Sequence, residues 1–240
     1  MSRFGRKKSR PKKVSKPLRL VPKAKRVCIL TPCDDMVKTE FSTSLVEMVL
    51  HTLMSGPENL EGIAVQAFGS TILPFSREQL AEFAIRSGST HMLWIDSDMK
   101  FPKDMLLRFL ARDEKIIGIN AMSRRVPYRN CAQSSPVTPL RTTAESTGLE
   151  KVHRMGFGVL WVETSIVAAM PVPRFDFEYI AEMGEWRGED FVFFERARAL
   201  GHDFWVDHDL SKEVFHMGSF GFNPLMMEQL GAQESSAVEA

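Results

Sequence analysis

Two carboxylates two positions apart, Asp96 and Asp98, follow four apolar residues, Met92-Leu93-Trp94-Ile95. Residues i and i+2 of an extended chain point the same way, so both acids address one spot just beyond a strand's end. Adjacent carboxylates repel unless a cation lies between them, and a hard divalent ion with oxygen ligands meets that need. A polar turn, with Asp98 or a neighbour capping a helix, is the alternative that involves no chemistry. A second acidic pair, Glu189 and Asp190, sits in Trp186-Arg187-Gly188-Glu189-Asp190, ahead of an apolar helix expected over 191–200. Acids at a helix start are ordinary partners of its dipole. His216 falls in a loop expected over 209–218, where a lone histidine is most often a surface or satisfied core residue.

The elements that must position these groups alternate. Arg26–Leu30 reads as a buried strand feeding Thr31-Pro32-Cys33-Asp34-Asp35, and Phe41, Leu45, Met48, Val49, Thr52 and Leu53 recur at helical spacing over 38–54. Gly62–Phe68 reads as a second strand, and Ser76-x-x-Gln79 has the form of a capping box opening a helix to Ser87. The strand before Asp96 has the continuous apolar character of one covered on both faces. A helix from Pro102 to Arg112 and a strand over 115–121 follow. This rhythm predicts an α/β fold, a mostly parallel sheet with helices on its faces. Ligands of such sheets bind beyond the carboxyl ends of the strands, where Asp34, Asp35, Asp96, Asp98, Arg124 and Arg125 all fall. Residues 122–152 are turn-rich and read as a long loop or hairpin insert. Gly156 and Gly158 enter an apolar strand over 154–162, marking either a close approach to a ligand or a bulge. A last strand is expected over 202–206 and a short helix over 223–230.

The net charge of +1 conceals an asymmetry. Residues 1–25 hold eleven Lys or Arg and no acid, so removing them from 31 basic and 30 acidic residues leaves 20 against 30. That proline-containing segment reads as a disordered basic tail, attractive to polyanions such as DNA or anionic lipid, or simply solubilising. Residues 26–230 form one expected domain and 231–240 a flexible acidic tail. No apolar run is long enough to span a membrane. Cys28, Cys33 and Cys131 contain no C-x-x-C pair and suit a reducing, cytoplasmic compartment.

Taken in order, strand-Asp96-x-Asp98, Gly188-Glu189-Asp190 at a helix start about ninety residues on, a further apolar strand and His216-x-Gly218 resemble a GT-A-fold glycosyltransferase. The resemblance is to the family-2-like, mostly inverting enzymes, including small bacterial and phage members, and spans Arg26 to about Gly218. It implies a nucleotide-sugar donor such as a UDP-sugar, and Mn²⁺ or Mg²⁺ held by Asp98 and His216, with Asp96 near the ribose and the metal. It further implies nucleotide contacts from Thr31, Pro32, Asp34 and Arg77. Arg124 and Arg125 would meet phosphates or acceptor, and Gly156, Phe157 and Gly158 would shape the donor-sugar and acceptor pocket. Trp186 would stack on an acceptor ring. Asp190 becomes the catalytic base, with Glu189 the neighbouring candidate.

The chain departs from the family at Gln66-Ala67-Phe68-Gly69-Ser70, where the usual second-strand acid is not evident, so the base of the nucleotide stays open. The basic tail points to a polyanionic acceptor. Some phages glycosylate hydroxymethylated DNA bases; a glycan or lipid acceptor is the rival. Nucleotidyl transfer on a related fold normally has a glycine-rich basic loop after the first strand, unlike Thr31-Pro32-Cys33-Asp34-Asp35. A nucleic-acid-binding protein with a degenerate body is the non-enzymatic alternative.

Overall fold

The computed structural model describes residues 23–124, 129–182 and 184–218. Most of the expected basic tail, Arg125, the helix expected over 223–230 and the segment 231–240 lie outside these residues. The chain opens with β1 (Lys25–Cys33), α1 (Thr39–Ser55), β2 (Leu60–Gly69), α2 (Leu73–Arg86) and β3 (His91–Ile95). Next come β4 (Met99–Lys100), α3 (Met105–Leu110), β5 (Ile116–Gly118), β6 (Leu149–Val152), β7 (Val159–Glu163) and α4 (Thr164–Ala168). A hairpin of β8 (Glu178–Ile180) and β9 (Glu185–Arg187) leads into α5 (Glu189–Ala199), β10 (Phe204–Asp207), α6 (His208–Glu213) and β11 (Phe215–His216).

Seven strands form one sheet in the order β2-β1-β3-β7-β5-β10-β6. β1 pairs in parallel with both β2 and β3, and β5 with β10; β7 runs antiparallel between β3 and β5, and β6 antiparallel at the edge. Five strands therefore share one direction, and β1, β2 and β3 end side by side. The apolar run of β3 divides by its period of two: Met92 and Trp94 join the core on the α2 and α5 face, Leu93 and Ile95 that on the α1 and α3 face. All four are fully buried, as a strand covered on both faces requires.

Several boundaries differ from the sequence-based expectation. Helix α2 begins at Leu73, one turn before Ser76, because Pro74 occupies the first turn, where a missing N–H costs nothing. Ser76 is thus buried inside the helix rather than capping it. The helix expected over 102–112 keeps only Met105–Leu110, and the strand over 115–121 only Ile116–Gly118. The strand expected from Arg154 starts at Val159, and the loop expected over 122–152 ends in β6. Helix α5 starts at Glu189, which places both acids in its first turn. It buries Val192, Phe193, Phe194 and Ala197, while Leu200, expected on the apolar face, is exposed. His216 lies in a short strand rather than a loop. Among the described residues no helix is long and apolar enough to cross a membrane.

Candidate active site

Where β1, β2 and β3 end, a cavity of about 500 Å³ opens, lined by Pro32, Cys33, Asp34, Ser70, Thr71, Leu73, Asp96, Ser97, Asp98, Arg124 and His216. Six residues singled out from the sequence thus share one wall. A cavity of about 450 Å³ at the opposite edge, beside Lys25, His91 and Trp161, contains none of them.

Local pairing delivers His216 to this place. β11 pairs antiparallel with β4, setting His216 opposite Met99, and the Met217 N–H donates to the Asp98 carbonyl at 2.8 Å. Helix α6, capped by Asp207 accepting from the Leu210 N–H, leads the chain into that strand. His216 Nδ1 lies 2.9 Å from the Met122 carbonyl, which can only accept, so Nδ1 carries a proton and, whenever the ring is neutral, its lone pair lies on Nε2. Nε2 is 3.4 Å from Asp98 Oδ2, and the Arg124 guanidinium is 2.8 Å from that same oxygen. Asp98 Oδ1 is buried without a partner. Burial pushes the Asp98 carboxyl up, but the bond to His216 and the charges of His216 and Arg124 outweigh it and hold it below the usual range. His216 is raised, first by that bond to Asp98. Buried Asn120 secures the neighbouring loop, donating to the Leu140 carbonyl at 3.0 Å and accepting from the Ala132 N–H at 2.9 Å.

One orphaned carboxylate oxygen beside an imidazole lone pair fits a hard divalent ion that takes its remaining ligands from water and phosphate. No three His, Cys, Asp or Glu side chains converge on one point among the described residues. Asp96, expected near the ribose and the metal, lines the same cavity and accepts on Oδ1 from Arg77 Nη2 at 3.0 Å. Burial raises its carboxyl and Arg77 opposes the rise.

Arg77, expected at the nucleotide, is 1% exposed, with its guanidinium carbon 4.5 Å from the Phe157 ring centroid. Its Nε donates to Glu189 Oε1 at 3.2 Å while Nη2 holds Asp96, so one cation ties the end of β3 to the start of α5. Glu189, the alternative base, is itself buried in this bridge. Phe157 is likewise buried, packed edge-on against Trp94, Phe175 and Phe193, so it supports Arg77 from the core instead of shaping a pocket. The Gly158 carbonyl accepts the Asp96 N–H at 3.0 Å, and a β-carbon on Gly158 would lie 3.3 Å from Met99. This glycine serves strand packing. Gly156 would bring a β-carbon to 3.3 Å from that of Cys131.

Asp190 is left unpaired by the bridge. Its Oδ1 accepts the Phe191 N–H at 2.8 Å. Burial, then the neighbouring Glu189 charge, push its carboxyl up to about 6, against the opposing pull of that N–H, Arg77 and Arg154. Such a value places a proton acceptor near neutral operating pH. Gly188 keeps the carboxylate there: a β-carbon would stand 2.8 Å from Asp190 Oδ1.

Thr31 is buried and its hydroxyl has no partner, so it does not line the cavity; Asp34 does, and also accepts the Met36 N–H at 3.0 Å. Trp186 is 70% exposed on β9, its ring centroid 5.2 Å from that of Tyr179. Arg125 lies outside the described residues. Sequence reasoning missed Ser70 and Thr71, which follow β2 as Asp34 follows β1, and also Arg154. Arg154 stacks at 3.6 Å on Phe191, the residue after Asp190. The first pair was available from strand ends alone; Arg154 was not, because only the tertiary fold brings it to α5.

Solved structures resemble the chain in fold. A197 from STIV covers 82% of this chain and 97% of its own at a TM-score of 0.50 and 10% identity. A Drosophila β-1,4-galactosyltransferase 7 mutant in complex with manganese, UDP-Gal and xylobiose matches 85% of this chain and 79% of its own, with a TM-score of 0.45 and 13% identity. A nucleoside-diphosphate-sugar pyrophosphorylase from Vibrio cholerae matches 78% of this chain and 95% of its own, with a TM-score of 0.41 and 11% identity. No protein-family model and no curated protein sequence matches the chain. At these identities the likeness is one of fold alone: a mostly parallel, seven-stranded sheet flanked by helices.

Proposed function

We propose that this chain is a metal-dependent, inverting glycosyltransferase that moves a sugar from a nucleotide-sugar donor to an acceptor hydroxyl. One observation carries the proposal. The cavity beyond β1, β2 and β3 has Asp98 and His216 on its wall, and a buried arginine ties its Asp96 to the helix start that bears the raised Asp190.

In this scheme Asp98 and His216 hold Mn²⁺ or Mg²⁺. When bound, the ion supplies charge stabilisation for the departing nucleoside diphosphate. Arg124 then moves from Asp98 to the phosphates, a planar donor exchanging a carboxylate for a phosphate. Asp34, Ser70 and Thr71 offer polar contacts to the nucleoside. Asp190 takes the acceptor hydroxyl's proton on Oδ2, since Oδ1 already accepts an N–H, as the acceptor oxygen bonds to the anomeric carbon and the bond to phosphate breaks. Trp186 provides an exposed aromatic face for an acceptor ring.

The expected result for Asp98→Ala, and for His216→Ala, is loss of Mn²⁺-dependent nucleotide-sugar hydrolysis to near background with an unchanged circular dichroism spectrum. A wild-type protein that binds and hydrolyses no nucleotide-sugar in Mn²⁺ would overturn the assignment.

DNA carrying hydroxymethylated bases is the proposed acceptor, supported by eleven basic residues within 1–25 against a net acidic remainder. Deleting residues 1–25 should weaken DNA binding and flatten its dependence on log salt concentration, because fewer counterions are released. An unchanged slope in a filter-binding titration would leave a glycan or lipid as the acceptor.

A further inference from the structure

Arg154 stands beside Asp190, yet the machinery described above gives it no task. Its Nε donates to Gln133 Oε1 at 2.7 Å, and its planar head lies 3.6 Å above the Phe191 ring. These two contacts set both the position and the plane of the guanidinium. Its terminal nitrogens have neither a hydrogen-bond acceptor nor a carboxylate within 4 Å among the described residues. The nearby carboxylate that might have taken them, Glu195, is held by Arg187 at 2.7 and 2.8 Å. Arg198, bonded to the His153 carbonyl and stacked on Phe204, adds further positive charge to the same side. An oriented guanidinium with two unused donors is shaped for a two-oxygen anion.

We infer that Arg154 binds an anionic group of a substrate placed against Asp190, a carboxylate or phosphate borne by the donor sugar or by the acceptor. The inference rests on the proposed function for the word substrate, but the anion site itself does not depend on it. A solely structural arginine, stapling α5 to the loop through Gln133 and Phe191, would hold its place without discriminating between charged and neutral sugars.

The test uses the full chain labelled with ¹⁵N-arginine, the Arg154 Nε–H resonance being assigned by its absence in Arg154→Gln. Methyl β-D-glucuronide and glucose 6-phosphate are titrated in, with methyl β-D-glucoside as the neutral control, each with and without UDP and Mn²⁺. The expected result is that one or both anions shift the resonance at millimolar concentration while the glucoside does not. No response to either anion under any of these conditions overturns the inference. Calorimetry with UDP-glucuronate and UDP-glucose then locates the source. If the charge belongs to the donor, UDP-glucuronate binds wild type about tenfold more tightly and Arg154→Gln loses the preference. If both bind wild type equally while the free anions still shift the resonance, the charge belongs to the acceptor. If neither nucleotide-sugar binds but the anions do, the anion site stands and the glycosyltransferase assignment fails.

Discussion

Asp190→Asn should abolish sugar transfer while leaving the protein folded and its affinity for the nucleotide intact. The side chain keeps its shape and an oxygen for the Phe191 N–H, but it can no longer accept a proton. Loss of a positioned general base costs about 10²–10⁴-fold in turnover. The wild-type profile should carry the signature of the same group. Asp190 must be ionised to act, and its carboxyl is raised to about 6, so kcat/KM should fall as pH drops through that value. For stability the sign is opposite. A carboxyl raised on folding binds more protons folded than unfolded, so the fold loses stability as pH rises from the ordinary carboxylate range through about 6. Above that range Asp190→Asn should therefore be at least as stable as wild type. A variant with full turnover, or a profile flat across that range, would remove Asp190 from the proposed role.

Arg77→Met is the second large effect, and it concerns the framework. The guanidinium is fully enclosed and neutralises two carboxylates from distant parts of the chain. Removing it leaves Glu189, and in part Asp96, as uncompensated charges in a poorly solvated place, a loss of about 3–5 kcal/mol. Urea unfolding should report that fall. Adding Asp96→Asn and Glu189→Gln to the same chain should restore much of it, because neutral amides carry a far smaller desolvation cost. Arg77→Lys should recover little: one compact ammonium cannot reproduce a planar fork spanning two partners while lying against Phe157. A destabilisation that the two neutralising changes do not relieve would mean that Arg77 acts through packing alone.

Some of this was legible in the linear chain. The apolar runs, the punctuating glycines and the acids at strand ends located β1, β2, β3 and the start of α5, because burial periodicity and turn chemistry are local properties. They could not give strand direction: the β7 pattern reads the same parallel or antiparallel. Nor could they orient α5, whose four consecutive apolar residues Phe191-Val192-Phe193-Phe194 go right round the helix, so that only the packed neighbours decide that Phe193 and Phe194 go inward.

Residue types and order determined that carboxylates would gather beyond the ends of parallel strands, since strands that share a direction must end on one side. Tertiary structure alone decided their division of labour. Side-chain pairing turned Asp96 and Glu189 onto Arg77, 19 and 112 residues away, brought His216 within 3.4 Å of Asp98, and left Asp190 outside that ion-paired bridge. A carboxylate's environment, not its identity or spacing, sets whether it is neutralised, poised to hold a cation or raised toward neutral pH, and that environment is assembled only when the chain closes.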